Sequence, residues 1–170
     1  MAHRDWHELT SGIHLMATDL DGTLIRTDQT VSQYTIDTFR RAREMDFPII
    51  FVTGRPPRWI GPVAEATQHH GLAVCANGAI VVDLVTQRVV ESDPIAPEIV
   101  DEIVTVLRAE VPGVAFAAEW VGLTPDEEPF GYEPTYVTRY ENNDARREVD
   151  VREFTRGKSV VKILARTSET

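Results

Sequence analysis

The chain has 170 residues, a formal charge of −10 and an ordinary soluble-protein composition, 42% hydrophobic and 26% charged. That length allows one domain, or a small core with part of a second. The acidic balance argues against a nucleic-acid surface, which needs clustered Lys and Arg. One cysteine, Cys75, excludes a disulfide framework and a Cys-rich zinc site. No apolar run approaches a membrane span, and the polar first nine residues carry no signal-peptide pattern. The expected address is the cytoplasm.

Residues 1–11 read as a loose leader. His3 and His7 sit four apart, but no third ligand lies near them, so a solvated terminal segment is the reading. Residues 13–18 are mostly apolar and read as a strand buried on both faces, as in a parallel sheet. Asp19-Leu20-Asp21-Gly22-Thr23-Leu24 follows at the strand's C-terminal end, where open α/β sheets place their ligands. Side chains at i and i+2 leave an extended chain on one side, so Asp19 and Asp21 can share a site, with Gly22 supplying the turn. Paired carboxylates can hold Mg2+, or divide the work of nucleophile and proton carrier. An Asp-Gly turn with a capping aspartate is the plain alternative.

Ser32 is a candidate N-cap with Val31 before it, and Ile36, Phe39, Ala42 and Met45 predict a helix over 33–45. Arg40, Arg41 and Arg43 suit its C-terminal end as a solvated face. Residues 48–52 form the second strand. Thr53-Gly54-Arg55 follows it and leads through Pro56-Pro57 into a helix over 57–68. A hydroxyl beside free backbone N–H groups at a helix start makes a phosphate site; an ordinary N-cap is the plain alternative for Thr53. Gly71 is expected to end that helix. Residues 72–76 form the third strand, with Cys75 as a small core residue, and Asn77-Gly78-Ala79 stands at its tip. Residues 80–83 and 87–91 read as a hairpin. Right-handed crossovers bring Asp19, Asp21, Thr53, Arg55 and Asn77 to one edge of a parallel sheet.

Composition shifts near Asp93-Pro94. A helix is predicted over 97–111, a strand over 114–121, a loop over 122–135, a charged stretch over 141–153 and a strand over 159–165. Phe130, Tyr132 and Tyr136 are expected to pack beneath the loop rather than meet a ligand.

Asp19-Leu20-Asp21-Gly22-Thr23-Leu24 resembles motif I of the haloacid dehalogenase (HAD) superfamily. Thr53-Gly54-Arg55 resembles its motif II, and Asn77-Gly78-Ala79 is similar to the loop after the third strand in the Cof-type subgroup, which inserts a large α/β cap there. The resemblance implies an α/β fold with a Rossmann-like parallel core over 12–92 and a partial α+β cap over 93–170. It implies a Mg2+-dependent phosphatase of small phosphorylated metabolites such as sugar phosphates. Asp19 would be the nucleophile and form an aspartyl-phosphate. Asp21 would be the general acid and base. Thr53 and the Gly54 backbone would hold phosphate, with Arg55 and Asn77 orienting substrate or loops. The Mg2+ would sit on Asp19 and the backbone carbonyl of Asp21. A non-catalytic phosphate- or partner-binding fragment and a phosphomutase stand as alternatives.

The family's lysine motif and its acidic fourth motif have no match. Asn142-Asn143-Asp144 lacks the preceding Gly-Asp, and Lys158 and Lys162, the two lysines present, fall in the cap region. The chain is therefore expected to end within the cap. The first strand becomes a sheet edge, open to self-association. Neither the substrate nor the oligomeric state is legible in the sequence.

Overall fold

The structure, a computed structural model, describes residues 12–122, 129–138 and 145–167. The leader, the His3/His7 pair and Asn142 to Asp144 lie outside them. The chain divides into two compact units, Met1–Glu91 and Ser92–Thr170.

The first unit holds strands β1 (Met16–Thr18), β2 (Ile49–Val52), β3 (Leu72–Cys75), β4 (Ile80–Asp83) and β5 (Arg88–Ser92) in that spatial order. Strands β1, β2 and β3 are parallel, with Ala17 opposite Ile50 and Phe51 opposite Ala73. Strand β4 returns antiparallel, Cys75 facing Ile80. The predicted parallel core is therefore present. β1 is shorter than expected and is not buried on both faces: Ala17 is exposed, as are Ile13 and Leu15 just before it. It is an edge strand among the described residues, and an edge strand has a neighbour on one side only.

Helix α1 (Gln33–Glu44) begins where Ser32 Oγ accepts the Thr35 N–H at 3.0 Å. Of its apolar stripe only Phe39 is fully buried, and Met45 caps the C-terminus in solvent. The basic cluster is not wholly solvated. Arg43 donates to the carbonyl of Gln68 at 2.9 Å and to its side chain at 3.0 Å. The predicted helix over 57–68 is divided: a 3-10 turn (Pro57–Trp59) precedes helix α2 (Gly61–Thr67), whose first turn holds Pro62. It ends on Gln68 in the left-handed conformation (φ 51°), not at Gly71. Gly71 answers a different need. A Cβ there would lie 2.7 Å from His69 Cε1 and 3.0 Å from the Ile49 carbonyl. Its absence lets the His69 ring sit 4.4 Å from Phe51 and edge-on to Phe39 at 5.8 Å.

The second unit is a three-stranded antiparallel sheet, order β7-β6-β8, from β6 (Ala115–Trp120), β7 (Phe130–Tyr132) and β8 (Val160–Arg166). Helices α3 (Pro97–Glu110) and α4 (Val151–Phe154) contribute Val100, Val104 and Val151 to a core with Phe116, Ala118 and Val160. Tyr132 packs with Ala117 and Ala145, and Phe130 and Tyr136 pack against them. The stretch expected to be loop thus contains a strand, β7, which pairs with β6 and sets Phe130 and Tyr132, either side of Gly131, on one face. Of the charged stretch, Val151–Phe154 is helical. Buried Glu133 ties this unit together, accepting from Phe116 N (3.0 Å), Val151 N (2.8 Å) and Arg108.

Candidate active site

The site is built from three strand tips of the first unit. After β1 the chain does not stay extended. Leu20 is fully buried, and its carbonyl accepts the N–H groups of Leu24 at 3.0 Å and Ile25 at 2.8 Å. This closes a tight turn through Gly22, whose φ of +77° suits glycine. Buried Ile25 bridges to both Asp21 and Val31 and anchors the far end. An apolar residue between two aspartates therefore plugs into the core and leaves both carboxylates exposed.

Asp19 Oδ2 accepts from the Thr23 hydroxyl at 3.2 Å. Asp21 is held by Arg55 in a two-point pair, Nε to Oδ2 at 2.8 Å and Nη2 to Oδ1 at 2.5 Å. The guanidinium beside it holds the Asp21 carboxyl below the usual carboxylate range, against a smaller opposing effect of burial.

At the tip of β2, Thr53 continues the sheet, its N–H donating to the Val74 carbonyl at 2.9 Å. It is not the N-cap of a helix. Its buried hydroxyl accepts the Arg55 N–H at 3.1 Å and closes a turn before the 3-10 segment. The tip of β3 is tied to this turn: Ala76 N–H donates to Arg55 O at 2.9 Å and Asn77 N–H to Thr53 O at 3.1 Å. Ala76, Asn77 and Gly78 all have positive φ, so the chain coils left-handedly there. This swings the Asn77 carboxamide over Gly54, where an added Cβ would sit 2.7 Å from its Oδ1.

Asp19, Thr53, Gly54 and Asn77, with Ala17, Thr18 and Val52, line one cleft of about 470 Å3. Asp21 and Arg55 are not part of that lining. They stand beside it, joined to each other, because the chain has turned at Leu20 and both Asp21 oxygens are taken. The sequence also missed Gln29, whose side-chain carbonyl accepts from Arg55 Nη2 at 3.1 Å. No motif or periodicity marked it.

Among the described residues no group of three His, Cys, Asp or Glu is placed to hold a metal ion. The oxygen donors present still suit Mg2+, which keeps several waters and takes one or two carboxylates with substrate phosphate. Asp19 would supply such a carboxylate; the Asp21 side chain is occupied by Arg55, so Asp21 would contribute through its backbone carbonyl. A carboxylate, a buried hydroxyl and a carboxamide at parallel strand tips form a cleft that can bind a phosphoryl group and attack it.

The family pattern of the haloacid dehalogenase-like hydrolases matches residues 16–169, and the chain belongs to that family. Pyridoxal phosphate phosphatase YbhA of Escherichia coli (strain K12) is 38% identical over 80 residues, 47% of this chain and 29% of that protein. The 5-amino-6-(5-phospho-D-ribitylamino)uracil phosphatase YitU of Bacillus subtilis (strain 168) is 42% identical over 68 residues, 40% of this chain and 25% of its own length. The match thus spans under a third of each relative. The crystal structure of TM0651 from Thermotoga maritima shares the fold, with a TM-score of 0.61 and 18% identity over 89% of this chain and 55% of that one. The HAD subclass IIB sugar phosphatase BT4131 has a TM-score of 0.55 and 20% identity over 70% of this chain and 43% of that one. Among the described residues no helix is long and apolar enough to cross a membrane.

Proposed function

We propose that this chain carries the nucleophile and phosphate-binding parts of a phosphoric monoester hydrolase acting on small phosphorylated metabolites. The observation that carries this reading is the cleft in which Asp19, Thr53, Gly54 and Asn77 meet. One Asp19 oxygen attacks phosphorus, the ester P–O bond breaks, and an aspartyl-phosphate forms. Asp21 delivers a proton to the leaving oxygen, then takes one from the water that hydrolyses the acyl phosphate and frees Asp19. Paired with Arg55, Asp21 is ionised with both oxygens engaged. It must leave the guanidinium and take a proton from solvent before it can deliver one to the leaving oxygen. Thr53 and Asn77 orient the phosphoryl oxygens. Mg2+, held by Asp19 and the Asp21 carbonyl, would neutralise charge between carboxylate and phosphate.

The relatives act, by name, on pyridoxal phosphate and on a phosphorylated ribitylamino-uracil. Both names describe a phosphate on a compact organic body, and we assign this chain the same broad class of substrate. The first unit serves as the core and the second as part of a cap. Strand β1, an edge among the described residues, offers a surface for pairing or self-association. A cytoplasmic setting suits a chain whose single thiol is buried. A binding-only role is the second reading, favoured by the Arg55 pair that engages both oxygens of Asp21, the assigned proton carrier. Hydrolysis of an aryl phosphate with Mg2+, wild type against Asp19→Asn, separates the two. Loss of turnover in the variant supports the nucleophile; equal rates refute it, and phosphate binding without turnover favours the second reading.

A further inference from the structure

We propose that Gln29 is a positioning residue for the proton-transfer carboxylate, its side-chain carbonyl holding Arg55 in the orientation in which the guanidinium grips Asp21. The inference rests on the reading of Asp21 as the proton carrier.

Arg55 Nη2 is shared between Asp21 Oδ1 and Gln29 Oε1, while Nε serves Asp21 Oδ2. A guanidinium is planar, so fixing Nη2 from a second direction fixes the plane in which both Asp21 oxygens must lie. Asp21 is itself more than half exposed, with 55% of its side-chain surface accessible against 18% for Arg55. Its orientation therefore depends on Arg55 rather than on packing. The Arg55 backbone is anchored on both sides, its N–H to Thr53 Oγ1 and its carbonyl to Ala76 N. The side chain alone is left to be set, and Gln29 acts on that degree of freedom.

The segment carrying Gln29 is built to present it. Arg26 N–H donates to Thr30 O and Gln29 N–H to Arg26 O, both at 2.9 Å. Asp28 Oδ1 accepts from the Thr30 N–H at 3.0 Å and the Thr30 hydroxyl at 2.6 Å. Buried Ile25 and the Ser32 cap hold the two ends. Within this closed turn Gln29 has φ +65°. Gly or Asn takes that conformation at lower cost, about 1 kcal/mol less than a longer side chain. A glutamine there reaches Arg55, which glycine cannot do. Conformational cost at a residue touching catalytic machinery is an observation that motivates a functional assignment.

The test compares Gln29→Met, which keeps length but removes the acceptor, with Gln29→Glu, which keeps an oxygen acceptor. The readout is solvent exchange of the Arg55 Nε–H by 15N NMR, its resonance assigned with Arg55→Lys. Gln29→Met should exchange about threefold faster, the scale of one net hydrogen bond, and Gln29→Glu should stay near wild type. Thermal unfolding should be unchanged in both. In aryl phosphate hydrolysis, Gln29→Met should raise kcat by a similar factor with KM unmoved, since a guanidinium held less firmly releases Asp21 more readily for the proton step. Wild-type exchange in Gln29→Met, or equal acceleration in both variants, overturns the proposal. If Gln29→Met accelerates exchange while Asp19→Asn hydrolyses at the wild-type rate, the contact is real but its role in a proton step is refuted. If only the Asp19 comparison fails, the failure belongs to the hydrolase reading.

Discussion

Gly54→Ala is the sharpest probe of the cleft, because its effect should act through one other side chain. The backbone at Gly54 does not have positive φ, so alanine meets no conformational barrier. What it meets is Asn77 Oδ1 at 2.7 Å, where ordinary van der Waals contact begins near 3.4 Å. The carboxamide must therefore retreat by about 0.7 Å or rotate away, which removes a donor or acceptor from the cleft. Losing one hydrogen bond to a charged ligand costs about 1.5–3 kcal/mol, so affinity for inorganic phosphate should fall roughly tenfold to a hundredfold. Global stability should change by less than about 1 kcal/mol, since the atom that yields is the end of a side chain. Asn77→Ala should lower phosphate affinity by a similar amount. In that background Gly54→Ala should cost almost nothing, because the clash is gone. Calorimetric titration of the four proteins closes the cycle. Additive losses would refute the argument, for they would mean that Gly54 acts on phosphate independently of Asn77.

Burial among Phe39 and Phe51 holds the His69 imidazole below its usual pKa of 6.5, more than a backbone hydrogen bond with Leu72 restores. The unfolded chain takes up a proton near pH 6.5 and the folded one only at lower pH, so stability should be full above that value and fall as pH drops below it. Urea titrations at pH 7.5 and 5.5 should show this for wild type and a smaller pH effect for His69→Gln; equal effects would remove His69 as the cause. Leu20→Ala empties a fully buried site beneath both aspartates and should cost about 2–5 kcal/mol in denaturant unfolding. Glu133→Gln leaves two backbone N–H groups and Arg108 competing for one carbonyl oxygen. It should destabilise the second unit by up to about 3–5 kcal/mol, lessened because the Arg108 side chain is one-third exposed. Burial pushes the Cys75 thiol up to about 12, so a maleimide at pH 8 should label native protein only at the rate of unfolding.

Much of the first unit was legible because its signals are local. An apolar run that stops at Asp19, another at Thr53 and a third at Asn77 place three polar tips at strand ends. Ser32 announced its helix by capping chemistry, and the pattern at 97–111 found α3 to within a residue. Local pattern also misled. Gly71 looked like a helix stop, yet it is the gap that admits the His69 ring, a contact with a side chain two residues earlier in sequence that only the packed state defines. Two apolar aromatics around a glycine at 130–132 looked like loop because a three-residue strand is too short to show periodicity; the β6 ladder makes it a strand.

The order of the elements and the residue types at their tips are legible along the chain, since hydrophobic period, turn residues and capping groups act over a few neighbouring positions. The packed fold alone sets Asp19 in the cleft while Asp21 is held by Arg55, rests Asn77 on Gly54, and brings Gln29 to Arg55. Those relations join residues separated by 23 to 34 positions, as the Asn77–Gly54 and Arg55–Asp21 pairs do. They follow from which strands pair and how each turn coils, and no short stretch of sequence carries that information.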